Sequence, residues 1–460
     1  MLKIKIEYKF SIKTKDELRK LPHDELLKYI ENLQDNLVQE KPPKNSNNAS
    51  IPSSKEIVPQ KKRNQSLRKS GGKSGGQFGH KSYNLLQTDT PDEIIDVEFK
   101  IDECRKCGFD LSKVIKELKE KRQVLDLDLQ KTAKKITQYQ SYSKECPECG
   151  NVNHDNCYPL LVAPHISYGK NIMAIVVYLN IVHYISYNRV VQVLKTMYGI
   201  EISEGTVDRL LKKASLLSQG EIKKIVSQLE LSDMIGIDET GAKVDGERNW
   251  NWVFQNENST YIVHSESRGR KVINENFENG FVDAVIVHDN YSSYNRLIAK
   301  DEQLCLAHKL RDINYAIECD DTKLMKDMKS LLQDAMIEHK LDLTNNQRVI
   351  LKKQYEETFQ YLITRPTTDK SETAKQIKSF TKAKDKIFTF LLYSNIPPDN
   401  NSSERAIRNI KVKLKVSGQF KSSQGAKDYA TLRSIVDTAR KRELNEFDSI
   451  RNIVGGGSVF

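Results

Sequence analysis

The sequence predicts a multidomain α+β protein, and three observations lead there. At 460 residues the chain is too long for one ordinary domain and suits about two to four. Its hydrophobic share of 38% is modest but still builds buried cores. Its texture also changes along its length. Paired Cys-x-x-Cys motifs occupy residues 91–158, helical spacing dominates residues 165–230, and two apolar runs that each end in aspartate fall in residues 231–300.

The first segment, residues 1–40, opens with strict alternation. Leu2, Ile4, Ile6, Tyr8, Phe10 and Ile12 interleave with polar side chains, which predicts a strand over residues 2–12. Leu26, Ile30, Leu33 and Leu37 then recur at helical spacing and predict a short amphipathic helix over residues 23–39. No apolar block follows Met1, so a secretory leader is not expected. The longest apolar run begins at Ile172 and stops far short of the roughly 20 residues a membrane span needs. Residues 41–90 shift to Pro, Asn, Ser, Gly and Lys, a composition that cannot bury a core and predicts a flexible basic linker.

Charge is unevenly placed. Residues 57–88 hold seven basic side chains, Lys61, Lys62, Arg63, Arg68, Lys69 and Lys73 among them, and no acidic one. Residues 405–442 hold eleven against Asp428 and Asp437. Concentrated positive charge favours a polyanion through counterion release, and nucleic acid is the partner this suggests beside a merely solvated basic surface.

Residues 91–158 carry Cys104-Arg-Lys-Cys107-Gly108 and Cys146-Pro-Glu-Cys149-Gly150. Without a secretory leader, this paired spacing predicts a metal site rather than disulfides. Four thiolates close a tetrahedral shell around a structural Zn²⁺, and each trailing glycine permits the tight turn. The β-like runs Ile94–Phe99, Val124–Leu129 and Ile136–Tyr142 around these knuckles predict a zinc ribbon.

Residues 165–230 are helical in pattern. Tyr198-Gly199-Ile200-Glu201-Ile202-Ser203 makes a turn, Ser203 is placed to cap a new helix, and Val207, Leu210 and Leu211 give it an apolar face. This is the pattern of a helix-turn-helix DNA-binding region, shared with generic helical hairpins.

Met234–Asp238, Trp250–Phe254 and Tyr261–His264 predict three consecutive strands, residues 269–277 a helix, and Ala284–Asp289 a fourth strand. That order predicts an RNase H-like α/β domain formed by residues 231–300 and 396–445. Residues 301–395, charged and with almost no strand signal, predict a helical insertion. Trp250 and Trp252 share one strand face, where core packing is expected rather than base stacking.

The chemistry lies in carboxylates. Asp238 and Asp289 each end an apolar run, and Glu404 begins a helix that carries Arg405, Arg408 and Lys411. Two strand-borne aspartates and a helix-borne glutamate suit two Mg²⁺ or Mn²⁺ ions about 4 Å apart, the arrangement that activates an attacking oxygen and steadies a leaving one. The basic side chains would reach phosphates.

These residues resemble the IS66 family of insertion-sequence transposases. The likeness runs over most of the chain: Gly75-Gly76-Gln77-Phe78-Gly79-His80-Lys81, Thr90-Pro91-Asp92-Glu93, the cysteine knuckles, and Ile202-Ser203-x-x-Thr206. It continues through Asp238-Glu239-Thr240, Asp289-x-Tyr291-x-x-Tyr294, Cys305-x-Ala307-His308-x-x-Arg311 and Asn400-Asn401-x-x-Glu404-Arg405-x-Ile407-Arg408. Ala242, Asn290 and Leu306 depart from the family pattern without removing a carboxylate.

The resemblance implies a DDE transposase with Asp238, Asp289 and Glu404 as catalytic metal ligands. It implies DNA recombination by cleavage at the terminal inverted repeats of a transposable element and joining to target DNA. His308 and Arg311 would support the site from behind the ligands. A homodimer or larger synaptic complex, small accessory proteins and a prokaryotic, cytoplasmic, nucleoid-associated setting are expected with it. A domesticated or inactive copy that only binds DNA is the alternative, and a nuclease that cleaves without joining is a third.

Overall fold

The computed structural model describes residues 15–36 and 85–460 apart from residues 99, 129–132, 155, 156, 164, 295, 296 and 369. The strand expected over residues 2–12 and the basic side chains from Lys61 to Lys73 lie outside the described residues. The helical spacing near the start forms α1 (Lys15–Arg19) and α2 (His23–Asn36).

Alternating polar and apolar residues then build a first sheet from β1 (Glu93–Asp96), β2 (Glu117–Asp128), β3 (Ala133–Glu145), β4 (Val152–His154) and β5 (Ile166–Tyr168). Its order is β1-β3-β2-β5, with β4 added to the end of β3. β2 and β3 pair antiparallel, and Gln123 stands opposite Gln138 with a buried side-chain hydrogen bond of 2.9 Å. Both strands run longer than their apolar stretches predict. β2 carries the charged Glu117, Lys119, Glu120 and Lys121 at its start because backbone pairing needs no apolar side chain.

Next come α3 (Lys170–Val177), a π-helical turn at Tyr178–Val182, α4 (Tyr187–Tyr198), α5 (Glu204–Leu217) and α6 (Gln219–Glu230). Gly199 ends α4 in the left-handed region at φ 61°, and its N–H returns to the carbonyls of Leu194 and Lys195. Ser203 Oγ accepts from the N–H of Thr206 at 3.1 Å and caps α5. Val207, Leu210, Leu211 and Ala214 are buried, while Asp208, Arg209 and Lys212 stay exposed. The expected helix, turn and helix are therefore present.

A second sheet follows, made of β6 (Met234–Val244), β7 (Glu247–Gln255), β8 (Thr260–Ser265), β9 (Phe281–His288) and β10 (Ala299–Leu304), with α7 (Lys271–Asn276) between β8 and β9. The order is β10-β9-β6-β7-β8. β6, β7 and β8 form an antiparallel meander, whereas β9 lies parallel to β6 and β10 parallel to β9. β10 adds a strand across the start of residues 301–395, which are otherwise largely helical. Ala-Lys-Asp-Glu-Gln-Leu is too polar to signal a strand, yet an edge position tolerates it.

The remaining helices are α8 (Leu306–Asp320), α9 (Lys323–Glu338), α10 (Asn345–Ile363), α11 (Glu372–Ala383), α12 (Asn401–Ser417), α13 (Ser423–Lys441) and α14 (Glu446–Val454). Before α12 the chain returns along β10, where Phe390 N–H donates to Gln303 Oε1 at 2.8 Å and Tyr393 donates to Asp301 at 2.5 Å.

The fold divides into two compact units. One includes residues 308–333 and 358–382, where Phe359 meets Phe380 edge to face and Lys309 donates to Ser379 at 3.0 Å. The other includes both sheets. Within it, Ile235, Ile237, Trp252, Phe254 and Phe281 pack with Ile225 and Leu229 on one side of the second sheet. Ala242, Val253 and Ile262 pack with Ala406, Ile410 and Phe420 on the other. Among the described residues no helix is long and apolar enough to cross a membrane.

Candidate active site

Strand alternation decides which way the carboxylates of β6 face. Ile235 and Ile237 enter one core, so Glu239 follows them, while Gly236, Asp238 and Thr240 turn to the opposite face, on which α12 packs. β6 and β9 are parallel neighbours with Gly236 opposite Val287. Continuing that register by two residues brings Asp238 level with Asp289, beyond the ends of the paired stretch. Asp289 Oδ1 accepts from the N–H of Tyr291 at 3.0 Å, which turns the chain away from the strand.

Glu404 arrives from the first turn of α12, and Asn400 fixes where that turn sits. Its Nδ2 donates to the carbonyl of Ile237 at 2.8 Å, and its Oδ1 accepts from Ser403 at 2.6 Å. Its backbone N–H points at Cys305 Sγ, 3.2 Å away. Cys305 N–H in turn donates to the carbonyl of His288 at 2.8 Å. One buried chain of bonds thus joins the strand of Asp238, the strand of Asp289 and the helix of Glu404. Gly236 permits the approach, since a Cβ there would lie 2.8 Å from both Asn400 Oδ1 and Ser403 Oγ.

The electrostatics of Asp238 follow from this convergence. Burial pushes its carboxyl well above the usual range, and the charges of Asp289, Glu239 and Glu404 push further, against the N–H of Glu239 that donates to it at 2.8 Å. Three hard-oxygen donors that repel one another suit a divalent cation, which removes the repulsion. The three are not gathered as tightly as the thiols described next, whose ligand atoms all lie within 4.8 Å of one another among the described residues.

Those thiols belong to Cys104, Cys107, Cys146 and Cys149. The two knuckles are built alike. Gly108 N–H donates to Cys104 O and Gly150 N–H to Cys146 O, both at 2.8 Å, with the glycines at φ 73° and 65°. Cys104 and Cys149 Sγ stand 3.5 Å apart, as do Cys107 and Cys146. A tetrahedron with bonds of about 2.3 Å has edges of about 3.8 Å, close to this spacing. Burial opposes ionisation of Cys104, but the N–H groups of Lys106 and Cys107, with Asn153 and Cys149, bring it down to about 5. The N–H of Phe109 favours the Cys107 thiolate, yet Cys149, burial, Cys146 and Cys104 push that thiol up to about 12. Metal ligation would require the thiolate form, which a cation at the centre of the quartet would favour. Exposed Cys157 stands outside it.

A family model described as the IS66 transposase family matches residues 165–428, more than half of the chain. The chain belongs to the IS66 transposase family. No curated protein matches it. The matched region begins just before β5 and runs into α13, so it spans both aspartates and Glu404, and the thiol quartet of the N-terminal ribbon precedes it.

For this IS66 transposase, the departure at residue 290 has a backbone reason. Asn290 sits at φ 46°, where glycine is favoured and asparagine is among the side chains best tolerated. Of the basic residues on α12, Arg405 is exposed and donates to Ser402 at 2.6 Å, and exposed Arg408 pairs with Glu404 at 3.7 Å. The Lys411 ammonium turns toward the sheet and donates to the carbonyl of Gly241 at 2.9 Å. His308 and Arg311 are half-buried in the first turns of α8, within the other compact unit. Trp252 is core, with its indole N–H donating to Ser267 O at 3.1 Å.

Sequence reasoning missed the partners of Glu239. This buried carboxylate accepts from Arg268 Nε at 2.9 Å and Nη2 at 2.7 Å, and also from the Tyr294 hydroxyl. Burial raises its pKa, and the bonds from Tyr294 and Arg268 hold the rise in check. The signal was available: a glutamate on the core-facing side of a buried strand must find a partner. Asn400 and Cys305 gave no such signal, because their partners lie far away in sequence.

Proposed function

We propose that this IS66 transposase cleaves DNA at the terminal inverted repeats of its element and joins the freed 3′ ends to target DNA, with Asp238, Asp289 and Glu404 holding two Mg²⁺ or Mn²⁺ ions. The observation that carries this reading is the buried chain of hydrogen bonds through Asn400 and Cys305 that ties the strand of Asp238 and the strand before Asp289 to the helix of Glu404. The sheet order β10-β9-β6-β7-β8, with a meander followed by two parallel strands, is the order expected for an RNase H-like domain and supports the same reading. When bound, the ions would supply activation of the attacking water or 3′-hydroxyl and stabilisation of the leaving oxygen.

The chain's own residues do the rest. Asp238 from within β6 and Asp289 from the end of β9 orient the ligand oxygens, and Asn400 sets how far Glu404 reaches. Arg405 and Arg408 offer guanidinium groups beside Glu404 to phosphates of the strand being cut. The thiol quartet holds structural Zn²⁺, which orders the ribbon. The ribbon, the basic segment with Lys61, Lys62, Arg63, Arg68, Lys69 and Lys73, and the α4–α5 pair bind the repeats. Two ends must be brought together, so a homodimer or larger assembly acts, with small accessory proteins as further partners. The setting is the cytoplasm of a prokaryotic host.

The test is nicking of a labelled duplex that carries the element's terminal repeat, in Mg²⁺ or Mn²⁺, by the wild type and by Asp289→Asn. Nicking at the repeat boundary by the wild type alone is expected. Tight binding without nicking by either protein, also in the presence of the neighbouring gene products, would replace this reading with a non-catalytic DNA-binding one.

A further inference from the structure

The turn that follows Asp289 is held from outside the carboxylate cluster. Tyr291 gives its N–H to Asp289, and its ring lies under the Arg268 guanidinium at 3.8 Å. Ser293 Oγ donates to the backbone oxygen of Arg268 at 2.9 Å. Tyr294 is fully buried, and its hydroxyl reaches Glu239. Arg268 also stacks on Trp250 at 4.5 Å. Three points of one short turn are thus pinned, directly or through Arg268, to Glu239, the residue next to Asp238.

Glu239 cannot itself join Asp238 as a ligand on the same face, because strand alternation sends the two to opposite sides of the sheet. Its burial nevertheless demands partners, since an unpaired carboxylate in that core would be strongly disfavoured. The guanidinium and the phenol meet that demand together. Because both partners also hold the Asp289 turn, satisfying Glu239 and placing Asp289 are one event.

We propose that Glu239, Arg268 and Tyr294 are positioning residues, which hold the turn carrying Asp289 at the spacing from Asp238 that divalent-metal binding requires. This rests on the metal-dependent reading above. None of the three touches the reacting atoms. Each acts through the geometry of Asp289.

The experiment is Mn²⁺ binding to the full-length protein without DNA, followed by loss of the free-ion EPR signal, for wild type, Tyr294→Phe, Arg268→Lys and Asp289→Asn, with thermal unfolding measured alongside. Tyr294→Phe removes one hydroxyl from an otherwise unchanged ring. It is expected to weaken Mn²⁺ binding by about 10-fold or more, in the range found when groups behind metal ligands are removed. Arg268→Lys keeps the charge but loses the fork and the stacking, and it is expected to weaken binding similarly. Because Arg268 is partly exposed, that variant tests the clamp even if Tyr294→Phe unfolds early. Wild-type Mn²⁺ affinity in both variants would overturn the clamp alone. Mn²⁺ binding that Asp289→Asn does not weaken would overturn the metal reading and the clamp with it.

Discussion

The Asn400 carboxamide donates from Nδ2 to the main-chain oxygen of Ile237 at 2.8 Å. Asn400 is buried, and the bond ties the start of α12 to the residue before Asp238. Asn400→Ala leaves that carbonyl and the Ser403 hydroxyl without this partner, which costs about 1–3 kcal/mol. Urea unfolding should show that loss. Nicking should slow while repeat binding stays near wild type, because Glu404 loses its reference to Asp238.

Gly236 and Gly241 lie on the same strand and should respond differently to alanine. At Gly236 the new Cβ would stand 2.3 Å from Gln255 Nε2 as well as close to Asn400 and Ser403. Overpacking of this kind costs about 1–3 kcal/mol. At Gly241 the nearest atom is Trp250 Cζ3 at 3.7 Å, ordinary contact. Gly241→Ala should fall within about 0.5 kcal/mol of wild type. Denaturation midpoints of the two variants check the contrast.

The purified protein should carry about one zinc per chain, since four thiolates complete a single tetrahedral shell. Cys146→Ser should lose the metal and Cys157→Ser should keep it, as measured by elemental analysis. In the metal-free protein the amides of Gly108 and Gly150, now bonded within the knuckles, should exchange much faster with deuterium.

His264 gives a pH dependence with a definite sign. Burial, helped by the Lys427 ammonium, holds its imidazole down at about 4. Above about pH 6.5 the ring is neutral in both folded and unfolded chains and contributes nothing. Below that the unfolded chain takes up the proton first, so stability falls as pH drops from about 6.5 toward 4, by about 3 kcal/mol in all. His264→Gln should remove that part of the acid sensitivity. The difference between wild-type and variant unfolding free energies at pH 7 and pH 5, about 2 kcal/mol of change, is the quantity to measure.

Local chemistry was legible wherever a residue and its partner are close in the chain. The knuckles follow from Cys-x-x-Cys-Gly, the α5 cap from Ser203 and Thr206, and the end of α4 from Gly199. The strands carrying Asp238 and leading to Asp289 follow from their apolar runs, although β6 continues past Asp238 to Val244. β10 escaped because its residues are polar and its pairing, not its composition, makes it a strand. The Lys411 contact escaped for a related reason: helical spacing places it on the face of α12 turned toward β6, but only the packed sheet supplies the carbonyl that captures its ammonium.

By itself, then, the sequence determined most of the elements, the caps named above, the thiol quartet and the three carboxylates of interest, all properties of short-range periodicity and residue chemistry. The tertiary structure alone decided that β9 lies beside β6, that Asn400 joins Ile237 to Cys305, and that Glu239 is answered by Arg268 and Tyr294. These are choices of partner between segments far apart in the chain. They depend on which pairings bury the most apolar surface while leaving no polar group unsatisfied, and no single segment contains that information.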